Sequence, residues 1–258
     1  MPVVKKIKIC KKKVVISFLD HEKIEIDKEV YPNFYLYEGK DISKKELNKI
    51  INFNQSVYLW NYALKLRQKH LYSEYSMREK LYEKGGIKEQ VDDVIKRLKN
   101  NDLIDDNAFI ADYIEYYNSL LYGKNKIITK LLDKGIFKEK IDKVNFSKVV
   151  ERKKAKTLLP KLEKKYAKYN NTQKKQHIYQ SLITNGYDID IASEMVELIK
   201  ITPEKEENDK LKKDFEKAYS RFKKKYQKKE LRNKVMTYLL SKGYKMNDVI
   251  KMIERSKL

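Results

Sequence analysis

Four times along the chain the phrase Leu-x-x-x-Gly recurs: Leu81 with Gly85, Leu131 with Gly135, Leu182 with Gly186 and Leu239 with Gly243. Successive glycines lie 50, 51 and 57 residues apart, and self-similarity at a period of this size marks a stacked supersecondary unit. Columns counted from each glycine agree. Eight residues before it stand Met77, Ile127, Ile178 and Val235, and three before it Tyr82, Leu132, Ile183 and Leu240. Six after it stand Val91, Ile141, Ala192 and Val249, and nine after it Val94, Val144, Met195 and Met252. Every column is apolar or aromatic at spacings that share a helix face. The glycine suits the left-handed position just past a helix C-terminus.

Each repeat reads as three helices, in the first at about 55–70, 73–84 and 87–100. Ser73, Asp105 and Thr172 are in place as N-caps, and Thr202-Pro203-Glu204 opens the last repeat with proline at the first helical position. A three-helix unit of this size has little core of its own, so neighbours are expected to share apolar surface. The fold class is therefore mostly α: four tandem three-helix repeats in an elongated or curved array, with a small β-rich N-terminal region. The boundaries are 1–42 for the β-rich region, 43–54 for a connecting helix, and 55–104, 105–148, 149–201 and 202–258 for the repeats. An elongated array suits a protein that follows another long object.

Three short β-branched runs fill the N-terminal region, Val4 to Ile9, Val14 to Phe18 and Lys23 to Ile26, with a polar hairpin stretch at Leu19-Asp20-His21-Glu22. They predict a small antiparallel sheet. Pro32 and Gly39 punctuate its exit, and Ser43-Lys44-Lys45-Glu46 is a capping-box pattern opening a helix through Leu47, Ile50 and Ile51.

Composition narrows the function classes. No apolar run approaches the ~20 residues of a membrane helix, and the start Met1-Pro2-Val3-Val4-Lys5-Lys6 lacks the apolar stretch of a secretory signal. A cytoplasmic location and no membrane partner are expected. The one cysteine, Cys10, removes disulfides and thiolate zinc clusters together, and His21, His70 and His177 have no metal-ligand spacing. Seven glycines leave no phosphate-cradling loop. No metal, cofactor or catalytic residue is expected, and neither is an enzyme. Asp105-Asp106 reads as a helix cap rather than an acid/base pair.

Charge points outward. The formal net charge is +22, carried by 52 lysines and 7 arginines, and such an excess is the footprint of a polyanion partner. The same lysine bias also arises in an AT-rich genome, so composition alone leaves both open. The last 58 residues are the most basic, with 18 cations against 9 anions.

The stretch Ala63-Leu64-x-x-Arg67, then Ser73-x-x-x-Met77-Arg78-x-Lys80-Leu81-x-x-Lys84-Gly85, resembles the first repeat of the RecX family of recombination regulators. Val94-Ile95-x-x-Leu98, Leu103-Ile104-Asp105-Asp106-x-x-Phe109-Ile110-x-x-Tyr113 and Gly123-Lys124-x-Lys126-Ile127-x-x-x-Leu131-x-x-Lys134-Gly135-Ile136 continue the pattern through two repeats. The likeness is specific over about 57–144 and continues as periodicity to about 255. Ser76 and Tyr72 depart from it, standing where the family usually has a glutamate and a basic residue. The resemblance implies a non-catalytic modulator of the RecA recombinase that binds the RecA–DNA filament and inhibits ATP hydrolysis and strand exchange. It also implies weaker, non-specific contact with single- or double-stranded DNA. A monomer is expected.

Candidate contact residues come from the repeats themselves. Eleven and nine residues before the glycines stand Lys124 and Lys126, Lys175 and His177, and Arg232 and Lys234. A cationic first turn beside free N–H groups is an anion site, although cations there oppose the helix dipole; the alternative is a solvated lysine face. Lys223, Lys224 and Lys225 lie between Tyr219, Phe222 and Tyr226, where aromatics either stack on bases or fill the core. Arg67 and Arg78 stand out in a chain biased to lysine, poised for a bidentate anion or for an internal pair with Glu74 or Glu79. Two competing readings remain: a general DNA- or RNA-binding helical repeat protein with no recombinase partner, and a repeat scaffold solubilised by its lysines.

Overall fold

The structure, a computed structural model, describes residues 2–256, so the last two residues of segment 202–258 lie outside it. Strands β1 (Val4–Ile9), β2 (Lys13–Phe18) and β3 (Ile24–Asp27) form an antiparallel sheet in that order. The period of two puts Val14, Ile16 and Phe18 on one buried face of the central strand, with Ile26 opposite Val14. Val4, Val30, Leu36, Ile42 and Ile50 close this first core.

Helix α1 (Lys44–Arg67) begins where Ser43 Oγ accepts the Glu46 N–H at 3.1 Å. The Glu46 carboxylate turns to Lys40 at 2.7 Å instead of completing the capping box. α1 is continuous over 24 residues, so the connecting helix and the first helix of the first repeat are one rod. It spans two cores, with Ile50 in the sheet core and Leu59 and Ala63 in the next.

The helices after the sheet fall into four successive sets of three. With α1 go α2 (Glu74–Tyr82) and α3 (Lys88–Asn100); then α4 (Asp106–Ser119), α5 (Lys124–Asp133) and the single turn α6 (Lys138–Ile141). The third set is α7 (Lys148–Lys165), α8 (Asn171–Thr184) and α9 (Ile189–Glu197), and the fourth α10 (Glu204–Phe222), α11 (Lys228–Ser241) and α12 (Met246–Arg255). Among the described residues no helix is long and apolar enough to cross a membrane. The described residues form two compact units, one of residues 2–112 with 131–141, the other of 113–130 with 142–256.

The repeat columns sort by burial. Met77, Ile127, Ile178 and Val235 are fully buried, as are Leu81, Leu131, Leu182 and Leu239 one turn later. The column three before the glycine divides: Tyr82 and Leu132 are 42% and 46% exposed, whereas Ile183 and Leu240 pack partly buried against their cores. One residue past the buried leucine turns the side chain by about 100° off the core face.

Each Leu-x-x-x-Gly phrase closes the middle helix of its set with a left-handed glycine. Three of these closures also dock on the start of the middle helix one set earlier. In the first unit Ser73 Oγ donates to Lys134 O at 2.6 Å, and Tyr75 packs on Gly135. In the second unit the Gly123 N–H donates to Asn185 O at 2.8 Å and the Asn125 N–H to Gly186 O at 3.0 Å. Asn170 Nδ2 likewise donates to Lys242 O at 2.8 Å, and Thr172 Oγ1 to Gly243 O at 2.8 Å. The cap of α8 is thus Asn170, which accepts the Gln173 N–H at 2.8 Å, while the expected Thr172 serves the joint. Pro203, expected at the first helical position, stands one residue before α10 and makes no side-chain cap bond. Each joint sets a helix N-terminus against a helix C-terminus, opposite ends of two macrodipoles.

Candidate nucleic-acid interface

The same joints decide what the basic first turns do. The first amide of α2, from Glu74, donates to Asp106 Oδ1 at 2.9 Å. That of α5, from Lys124, donates to Glu151 Oε2 at 2.9 Å, and that of α8, from Asn171, to Glu207 Oε1 at 2.9 Å. Each carboxylate comes from the first helix of the following set. In α5 and α8 the first amide expected to be free is therefore filled by an internal anion, whereas α11 (Lys228–Ser241) begins earlier than expected and leaves Arg232 and Lys234 beyond its first turn. Asp106 also pairs with Lys140 at 2.8 Å, and Glu151 with Lys154 in a buried pair. Asp105 has the expected cap role, accepting the Asn107 N–H at 2.8 Å.

The candidate cations separate into engaged and open groups. In the first unit, Arg67 Nε donates to Leu103 O at 2.7 Å, tying the end of α1 to the loop after α3. Arg78 bridges Glu74 at 2.9 Å and Asp92 at 2.5 Å. Burial pushes the Glu74 carboxyl upward, but hydrogen bonds from Lys99 and Arg78 outweigh it and hold the group below the usual range.

In the second unit, Lys124 pairs with Asp188 at 2.6 Å and Lys175 with Glu197 at 3.4 Å. Lys126 Nζ sits 4.3 Å from the centre of the Tyr122 ring. Lys223 and Lys234 lie over Tyr219 and Tyr226, each at 5.4 Å. Lys224, Lys225 and Arg232 are exposed and have no ion-pair partner among the described residues. Tyr219, Phe222 and Tyr226 pack, partly buried, against the core of Leu211, Phe215, Leu231 and Val235.

Two groups escaped the sequence reading. The capping acids Asp106, Glu151 and Glu207 act on amides 32, 27 and 36 residues away, and no local pattern announces such a pairing. The second is the cluster Tyr113, Tyr116, Tyr117 and Tyr122, whose density was the available signal.

No protein-family model matches the chain. A regulatory protein RecX of Streptococcus agalactiae serotype Ia is 30% identical over 246 residues, covering 93% of this chain and 94% of the relative. The chain belongs to the RecX family of regulatory proteins. A RecX of Limosilactobacillus reuteri (strain DSM 20016) is 28% identical over 87% of this chain and 86% of its own. A crystal structure of regulatory protein RecX superposes with a TM-score of 0.57 at 25% identity, over 77% of this chain and all of that one. The likeness to RecX thus extends well beyond the two repeats whose motifs carry it most specifically. The relatives are named regulatory proteins.

Proposed function

We propose that this RecX-family chain is a non-catalytic regulator that binds the RecA–DNA filament and inhibits RecA ATP hydrolysis and strand exchange. The observation that carries the reading is family likeness over 93% of the chain. The open cations of the last helical set support it, because a filament offers both protein surface and DNA phosphates. The four sets are read as four repeats beginning near 55, 105, 149 and 202. Phosphate contact is assigned to Lys224, Lys225 and Arg232, flanked by Lys223 and Lys234. Arg67, Arg78, Lys124 and Lys175 already have oxygen partners, so contact with an outside anion requires exchanging them, whereas Lys126 rests on the Tyr122 ring and keeps its ammonium available. Single- or double-stranded DNA is a direct but weaker, non-specific partner, and the regulator acts as a monomer.

The test is RecA's single-stranded-DNA-dependent ATP hydrolysis, titrated with this protein at low and moderate salt. Inhibition well below one protein per RecA that survives the higher salt supports the regulator, because protein contacts do not depend on counterion release. Inhibition only at DNA-coating amounts, vanishing with salt, means competition for DNA and favours a general DNA-binding protein. No effect with the recombinase of the same organism rejects the reading.

A further inference from the structure

We infer that the tyrosine cluster joining α4 to α5 is a stacking platform for single-stranded nucleic acid, with Tyr116 as its open ring and Lys126 and Lys130 as its phosphate contacts. It rests on the direct DNA contact proposed above and is independent of RecA. Within ten residues the second unit places Tyr113, Tyr116, Tyr117 and Tyr122. Tyr117 stacks on Tyr122 at 5.5 Å with 25° between planes, and Tyr113 lies against Tyr117 at 4.7 Å. Tyr116 packs against Tyr117 with the ring planes at 84° and is 58% exposed, so most of the residue is open to solvent. Lys126 and Lys130, one turn apart on α5, place their ammoniums 4.3 Å from Tyr122 and 5.6 Å from Tyr117.

The equivalent aromatics elsewhere are spent internally. Tyr166 hydrogen-bonds Ser181 at 2.7 Å and stacks on His177, while Tyr219, Phe222 and Tyr226 pack on their core. An open phenol ring packed on a neighbour that carries an ammonium matches bases and phosphates together: every base has a π-face, and stacking tolerates any sequence. A duplex keeps its bases inside, so the platform selects single strands.

Binding of a fluorescein-labelled oligothymidylate, followed by anisotropy at several salt concentrations, tests this. Tyr116→Ala should weaken binding at least about fivefold without changing the salt slope. Tyr116→Phe should bind like the parent, because the ring and not the hydroxyl acts. Lys126→Gln with Lys130→Gln should reduce the salt slope by about 0.7 per lysine. A labelled duplex should bind Tyr116→Ala and parent alike. Tyr116 is exposed, and an unchanged melting curve confirms that Tyr116→Ala folds. Equal oligothymidylate affinity for Tyr116→Ala and parent overturns the platform, as does an equal loss in Tyr116→Phe. A parent that inhibits RecA but does not bind the oligonucleotide also overturns it and leaves the regulator standing. A Tyr116-dependent oligonucleotide affinity with no effect on RecA upholds the platform while the regulator reading fails.

Discussion

The backbone N–H of Lys124 donates to the Glu151 carboxylate 2.9 Å away, across 27 residues of sequence. Glu151 is buried and paired with Lys154, whose ammonium also donates to Asn118 Oδ1 at 2.7 Å and Tyr122 O at 2.6 Å. One carboxylate thus satisfies a helix N-terminus and neutralises a buried lysine. Glu151→Ala removes both roles and leaves Lys154 unpaired, a loss of about 3–5 kcal/mol for a buried pair. Set against a typical stability of about 5–15 kcal/mol, that is a large share of the total. Urea unfolding followed by circular dichroism measures it. Adding Lys154→Met should recover part of the loss, and additive losses in the double variant would show that the pair is not coupled.

Gly186 and Gly85 are both left-handed, with φ of +90° and +79°, yet their surroundings differ. A Cβ on Gly186 would lie 2.3 Å from the Lys126 backbone nitrogen, whereas on Gly85 it would meet only Gln55 Nε2, at 3.8 Å. Gly85→Ala should therefore cost only the left-handed conformation, about 1–2 kcal/mol. Gly186→Ala must also push backbone away from backbone and should cost clearly more. Thermal melts of the two variants compare them directly, and equal losses would mean that the joint yields without penalty.

The contrast between these glycines also marks how far the sequence could be read. Leu81, Leu131, Leu182 and Leu239 declared the repeat because a helix end is written locally: a buried leucine, three residues, a left-handed glycine. The strands were legible for the same reason, as alternation in Val14, Ile16 and Phe18 is a local pattern. The joint was not legible. Asp106, Glu151 and Glu207 look like ordinary surface acids, and their amide partners are donors that every residue carries. Thr172 has the right side chain for a cap, but Asn170, two residues earlier, takes the role and frees Thr172 for Gly243. For the candidate site, residue type was readable and engagement was not: Lys124 and Lys224 are the same in sequence, and only Asp188 beside one of them separates them.

Alkaline pH should destabilise the second unit through two buried phenols. Tyr187 donates to Leu121 O at 2.7 Å and Tyr244 to Asp214 Oδ2 at 2.9 Å. Burial pushes both phenols well above their usual range, aided by the nearby Glu151 charge for Tyr187 and by the hydrogen bond to Asp214 for Tyr244. A folded-state pKa raised above the unfolded value gives stability that is complete below the unfolded pKa and lost as pH rises beyond it. The loss begins near pH ~10 and runs at about 1.4 kcal/mol per pH unit for each phenol. Denaturant midpoints between pH 8 and 11.5 should fall accordingly. Tyr187→Phe should be weaker at neutral pH by about 1 kcal/mol for the lost hydrogen bond, but shallower in its alkaline decline. An unchanged decline would place the sensitive groups elsewhere.

The last helical set makes the sharpest demand on the charge reading. Lys224, Lys225 and Arg232 are exposed without ion-pair partners among the described residues, whereas Lys124 already holds Asp188. Replacing the three open cations by glutamine should leave the melting temperature almost unchanged, since exposed unpaired charges contribute little to stability. It should lower the slope of log affinity for duplex DNA against log salt by about 0.9 for each phosphate lost, close to three in all. Lys124→Gln should do the reverse, costing up to about 1 kcal/mol of stability from its partly exposed pair while leaving the salt slope in place. Anisotropy titrations over a range of potassium chloride concentrations separate the two. If Lys124→Gln flattened the slope and the triple variant did not, the phosphate contact would lie at the α5 turn, and the division of cations into engaged and open would be the wrong guide to function.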